Sequence, residues 1–324
     1  MTLLARALPA LGIIALAGMV AQAAPTGVQT APTGADLLRR AQEAERLHSY
    51  RGSRVTRTFL PGRAMTATAR VLHRRPATTR TEYLSPPSLA GTVILQIGAD
   101  RWRRSAPDER WRHAPSAPEF DSLDLLQRNY ELRVGASSLV ANRECMLLLI
   151  SPKHPGNPSK RMWLDRATGF ILRSELRNWR QDDISVSAFE QFEIDPAVSP
   201  EEARLLLPPR AVESGDRGAL AFKPLYPRYV PTGYVFKGLT VVPVHGERAA
   251  HLRYSDGLNT ISFFQAPAQA LAQQSRRGSR ELSYAVVFTW QRGSMAYALM
   301  GDIRPTELQR MAASLEPPSP VRKR

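Results

Sequence analysis

Cysteine is almost missing from this chain. The one thiol, Cys145, leaves no internal disulfide to form, and it stands in the apolar run CMLLLI, where it reads as a small buried residue. Lysine is scarce as well: five of the 44 cations are lysines (Lys153, Lys160, Lys223, Lys237 and Lys323), so the other 39 are arginines. Beyond the first two dozen residues no apolar stretch is long enough to cross a bilayer. The six histidines, His48, His73, His113, His154, His245 and His251, are scattered, and none stands at metal-ligand spacing with Cys or Asp. No G-x-S-x-G elbow, G-x-G-x-x-G turn or P-loop occurs. The acidic pairs Asp182-Asp183 and Glu201-Glu202 lie in polar segments and read as solvated charges. No catalytic residue, metal ligand or cofactor is expected, which leaves binding as the leading class of function.

What is present begins with a targeting segment. Residues 1–23 carry an early charge, Arg6, an apolar core from Leu8 to Val20, and the small-x-small step Ala21-Gln22-Ala23. This reads as a cleaved secretory signal, with a retained anchor as the competing reading. No cysteine stands at the cleavage point, so a lipoprotein is not expected. A signal without disulfides points to a bacterial periplasm, with export from the cell as the alternative.

Charge is the second feature. The formal net charge is +15, and residues 51–80 hold eight arginines with no Asp or Glu. A GC-rich genome is one dull source of arginine. A basic patch of this density attracts phosphates, anionic lipid heads or an acidic partner. Nucleic acid fits an exported protein poorly, and no nucleic-acid motif is present.

Patterning gives the organisation. Leu37, Ala41, Ala44 and Leu47 recur at helical spacing after Asp36, a candidate N-cap. YRGSRVTRTFL, AMTATARVLH and TRTEYL alternate as strands, and GTVILQIGADRWRR is a hairpin. FDSLDLLQRNYEL, residues 120–132, reads as an amphipathic helix, and CMLLLISP as a strand. KRMWLDRATGFILRSEL is a second hairpin, with Asp165 and Gly169 at the ends of its turn. A helix beside so many antiparallel strands implies a strongly curved sheet or half-open barrel whose concavity a helix fills. The proline- and charge-rich segment 196–221 reads as a linker between a large domain, 36–195, and a smaller one, 222–316. The second domain is read as several strands with turns at Asp256-Gly257 and Arg292-Gly293, closed by a helix after Pro305, with a disordered tail at 317–324.

Large apolar residues of the first domain are the candidates for a lipid cavity: Val93, Leu95, Ile97, Trp102, Trp111, Met162, Leu164 and Phe170. A packed core is the competing reading of the same residues. Concave apolar surfaces with polar rims accept acyl chains. Arg74, Arg75, Arg103 and Arg104 are candidates to hold an anionic head group at the mouth, against the plainer reading of a solvated face.

WLDRATGFILRSEL resembles the hairpin of the MucB/RseB family, periplasmic regulators of the sigma-E envelope-stress response. The helix followed by SYRGSRV, the YPRYVPTGYVF step and the closing MAYALMGDIRPTELQRMAASL agree with that family in order. The resemblance spans residues 36–315. It implies an α+β fold: a large antiparallel half-open barrel with covering helices, similar to the LolA/LolB lipoprotein carriers, plus a smaller mainly-β C-terminal domain with a terminal helix. It also implies a non-catalytic regulator that binds the periplasmic part of a membrane-spanning anti-sigma factor, shields it from proteolysis, and is released by lipid or lipopolysaccharide. Two departures stand out, Pro155 and Pro158 before the hairpin and the arginine-rich segment 61–88. Two other readings stay open: a periplasmic lipid or lipoprotein carrier, and an exported hydrolase with a site assembled from distant residues.

Overall fold

The structure is a computed structural model and describes residues 32–113, 122–209, 212–213, 219–244, 246–271, 278–282 and 285–315. The expected signal and the tail lie outside the described residues.

Helix α1 (Gly34–Leu47) starts one turn earlier than the spacing suggests. Thr33 is the N-cap: its hydroxyl accepts from the Asp36 N–H, and the Asp36 carboxylate accepts the Thr33 N–H at 2.9 Å. Asp36 is therefore the third residue of a capping box, not the cap. Leu37, Leu38 and Ala44 are buried on its sheet-facing side.

The large sheet has twelve strands. Strands β1 (Tyr50–Leu60), β2 (Arg63–Arg74), β3 (Thr78–Ser85), β4 (Val93–Ile97), β5 (Asp100–Arg104) and β6 (Trp111–His113) form one half. The other half is β7 (Tyr130–Val140), β8 (Arg143–Pro152), β9 (Ser159–Asp165), β10 (Ile171–Arg177) and β11 (Asp183–Ile194), joined to the first by the β1–β11 ladder. The linker segment contributes too. Helix α3 (Pro200–Leu205) is followed by β12 (Val212–Glu213), which pairs parallel with β6 at one end of the sheet. The sheet does not close, since β12 and β7 are its two ends. It does curl, because β7 comes back close to β11. The predicted helix 120–132 is shorter than its pattern suggests. Helix α2 (Leu123–Asn129) stops at Asn129, and Tyr130–Val140 is a strand, because its side chains complete the ladder with β8.

Register sorts the side chains onto two faces, since neighbours along a strand point to opposite sides. Tyr50, His73, Thr79 and Gln96 form one row across β1 to β4. This inner face lies under α1: Tyr50 and Val71 pack with Ala44, and His73 Nε2 is 2.8 Å from the Glu45 carbonyl oxygen. Further round the curl, Leu148, Ile150, Met162 and Leu164 pack under Leu37 and Leu38 of α1 and Leu126 of α2. The next row, Glu193–Arg51–Leu72–Arg80–Leu95–Trp102, belongs to the outer face.

The smaller sheet has six strands: β13 (Val235–Val244), β14 (Glu247–Ser255), β15 (Thr260–Pro267), β16 (Gly278–Leu282), β17 (Ala285–Arg292) and β18 (Met295–Gly301). Their order is β13-β14-β15-β18-β17-β16, antiparallel throughout. Helix α4 (Pro305–Ala313) lays Leu308 and Met311 against Leu252, Phe263 and Leu299. Proline at its first turn removes a donor that would have had no partner there.

Candidate functional site

The turn between β14 and β15 ties the two sheets together. Asp256 and Gly257, between β14 and β15, enter the end of the large domain beside α2. Asp256 is fully buried. Its Oδ2 accepts from the Tyr130 hydroxyl at 2.7 Å and from Asn157 Nδ2 at 2.9 Å; its Oδ1 accepts from the backbone of Leu258 and Asn259 at 3.0 and 2.7 Å. Asn129 Nδ2 donates to the carbonyls of Asp256 and Gly233 at 2.8 and 2.9 Å. Burial raises the Asp256 pKa, and these donors pull it back. Burial also drives the Tyr130 hydroxyl far above its usual range, so it serves as a donor. Gly257 is required twice over: its φ is +105°, and a Cβ there would stand 2.5 Å from the Leu126 nitrogen. Leu258 then packs into the cluster around Leu126 and Tyr130.

Three hollows surround this frame. The first, on the inner face, has a volume of about 150 Å³ and lies between α1 and Tyr50, Phe170, Phe189 and Phe192. Aromatic rings fill most of this region: Tyr50 meets Phe170 at 4.9 Å, Phe192 at 5.1 Å and His73 at 5.0 Å between centroids.

The second hollow is larger, about 720 Å³, and lies on the outer face beneath α3. Leu72, Leu84 and Leu205 supply its apolar wall, and Arg51, Arg70 and Arg80 its cations. Arg51 pairs with Glu202 of α3 at 3.1 Å and with Glu193 at 3.0 Å, and Arg80 pairs with Glu82 at 3.0 Å. The Glu202 carboxyl is held below its usual range, first by the Ser199 N–H of its capping box. Arg70 is exposed and has no ion pair among the described residues.

The third hollow, about 310 Å³, is a cleft between the sheets, bordered by the β1–β2 turn, the β10–β11 connection and the end of β18. Asp302 forms part of its wall.

The structure divides the cavity candidates between two faces. Met162, Leu164 and Phe170 are on the inner face, at 0%, 1% and 4% exposure. Met162 and Leu164 are sealed under the helices, and of the three only Phe170 borders the inner hollow. Val93, Leu95, Ile97, Trp102 and Trp111 follow the outer row; Val93 and Leu95 are buried there, and the other three are partly exposed. One cavity cannot hold both groups, because the sheet itself stands between them. The arginines are also dispersed. Arg75 Nη1 donates to the Leu47 carbonyl at the end of α1 at 3.3 Å, and Arg104 stacks on Trp111 at 5.1 Å. Arg74 is exposed on the outer face and Arg103 on the inner face. Their rows lie about 10 Å apart along the strands and about 14 Å across them. Sequence reasoning missed Arg51, Arg70, Arg80 and Glu202; strand alternation was the available signal, but which strands were neighbours was not.

An open, curled, mainly antiparallel sheet with two helices on its inner face and a short third on its outer face, joined to a second six-stranded sheet, defines a β-rich protein whose features are hollows and a junction. Residues 107–207 match the MucB/RseB N-terminal domain. Over 304 residues the chain is 24% identical to the sigma factor AlgU regulatory protein MucB of Pseudomonas aeruginosa, covering 90% of this chain and 94% of the relative. Its fold matches the Pseudomonas aeruginosa MucA/MucB complex with a TM-score of 0.67 at 22% identity, covering 88% of this chain and 99% of that one. A crystal structure of MucB matches at 0.58, with 22% identity and 88% and 98% coverage. The chain is thus similar to the MucB/RseB family's N-terminal domain over residues 107–207 and to MucB over most of its length.

Proposed function

We propose that this protein is a non-catalytic periplasmic regulator that binds the periplasmic part of a membrane-spanning anti-sigma factor and shields it from proteolysis. The reading is carried by the extent of the likeness to MucB, which runs through both sheets and the junction between them. A carrier that used only the large domain would have no use for the Asp256 lock. Mixing the purified protein with the periplasmic domain of its own organism's single-pass anti-sigma factor should yield a one-to-one complex by light scattering. Protease should then cut the bound domain more slowly than the free one. Separate elution of the two would overturn the reading.

Release by an acyl lipid or lipopolysaccharide belongs to the same proposal, and its seat is the outer groove. Ligand pockets span roughly 300–1,000 Å³. The outer hollow, about 720 Å³, falls in that range and the inner one, about 150 Å³, does not. Leu72, Leu84 and Leu205 suit an acyl chain, and Arg70 suits a phosphate.

A further inference from the structure

Asp302 closes β18 and faces a problem that Asp256 does not. Only 7% of it is exposed, and its Oδ1 accepts from the Trp179 backbone N–H at 3.1 Å. Its Oδ2 is buried and has no hydrogen-bond partner among the described residues. Among the described residues no cation stands within ion-pair distance of it either, while Asp183, at the border of the same cleft, is paired with Arg177 at 3.0 Å. An unpaired carboxylate oxygen in a dry site is costly unless something supplies charge and a donor. Burial, and after it the charge of Asp256, pushes the Asp302 carboxyl up to about 7, the response of an acid that lacks a partner.

The cleft beside it is open to a guest. Phe59, Trp179 and Val286 form apolar walls, and Asp182 and Asp183 stand at its border. Arg180, stacked on Trp179 at 4.6 Å, is already engaged. No group of three or more ligating side chains suited to a metal ion exists among the described residues. A mainly polar cleft with apolar side walls and three carboxylates, one of them the buried Asp302, suits a cationic head on a carbon stem.

The geometry points to the cleft between the two sheets as a binding site for a basic side chain of a peptide segment, its ammonium or guanidinium group taken by Asp302. This goes beyond the anti-sigma reading and is testable without that partner. The probe is the capped tripeptide acetyl-Gly-Arg-Gly-amide, titrated into the full ¹⁵N-labelled chain while the Trp179 backbone N–H is followed. That amide donates to the carboxylate in question. The arginine peptide should shift its resonance saturably, and the neutral citrulline peptide should bind at least about tenfold more weakly, the usual size of a charged hydrogen bond. Asp302→Asn, confirmed folded by its melting curve, should lose about the same factor. Methylguanidinium alone should bind more weakly than the arginine peptide; equal affinity would assign the site to free organic cations and overturn the peptide source. Equal binding of the citrulline peptide, or no saturable shift with the arginine peptide on the wild-type protein, would sink the assignment.

Discussion

The two faces of the large sheet are built from the same strands yet solve opposite problems. On the inner face, Tyr50, Phe170, Leu148 and Met162 meet two helices and leave a residual hollow of about 150 Å³. On the outer face, Arg51, Arg70 and Arg80 alternate with Leu72 and Leu95 and leave a groove of about 720 Å³ under a six-residue helix. The inner face is saturated with contacts and contributes stability. The outer face carries charges in partial exposure, where ion pairs contribute little to folding and more to recognition.

The largest effect that should separate the faces is a core truncation. Met162→Ala should destabilise the protein by about 2–5 kcal/mol, while Leu84→Ala on the outer wall should cost less than about 0.5 kcal/mol. Denaturant melts of both variants check this, and similar losses would erase the distinction. Next comes the junction, which continues the saturated side. Asp256→Ala removes the acceptor of Tyr130 and Asn157 and should cost about 2–4 kcal/mol; a melt unchanged from wild type would mean that the lock is not holding the two sheets.

The pH dependence of Asp302 tests the unsaturated part of the junction. Its folded pKa, about 7, lies above the ordinary value of 3.8, so the folded state binds its proton more tightly than the unfolded chain. The stabilisation is present below the ordinary value and is lost as pH rises toward 7, with a slope of at most about 1.4 kcal/mol per unit. The charge of Asp256 acts on it, and Arg180, Asp182 and Asp183 line the same cleft. Because Asn does not titrate, Asp302→Asn should gain stability relative to wild type on going from pH 5 to pH 8. Parallel melting curves for the two proteins across that range would remove the effect. The smallest expected change in folding is on the outer face. Arg70→Ala should leave stability within about 0.5 kcal/mol, yet weaken binding to anionic vesicles, and raising salt should weaken the wild type in the same direction. Vesicle co-sedimentation that ignores both the substitution and the salt would take the basic groove out of the account.

Local chemistry made much of this fold readable. The hairpin around Asp165 and Gly169, the strands from Tyr50 to Ser85 and the closing helix after Pro305 all follow from alternation, turn residues and capping. Tyr130 shows where this reading fails. In LLQRNYEL helical spacing continues through it, and the strand that begins there is decided by the β8 ladder and by the hydrogen bond to Asp256. The lipid candidates show the same limit. Leu95 and Met162 look alike as apolar strand residues, yet they lie on opposite sides of one sheet.

Composition, alternation and turn chemistry specify that the chain makes two β-rich units, a helix at each end of the described region, and no disulfide; those properties depend on residues a few positions apart. Which face a strand residue occupies, whether an Asp-Gly pair is a solvent turn or a buried lock, and which carboxylate is left without a donor depend on partners such as Tyr130 and Asp256, separated by 126 positions. Burial is a property of what comes to lie on top. For Asp256 the fold brings four donors, and for Asp302 it supplies the Trp179 N–H to one oxygen and leaves the other unpaired.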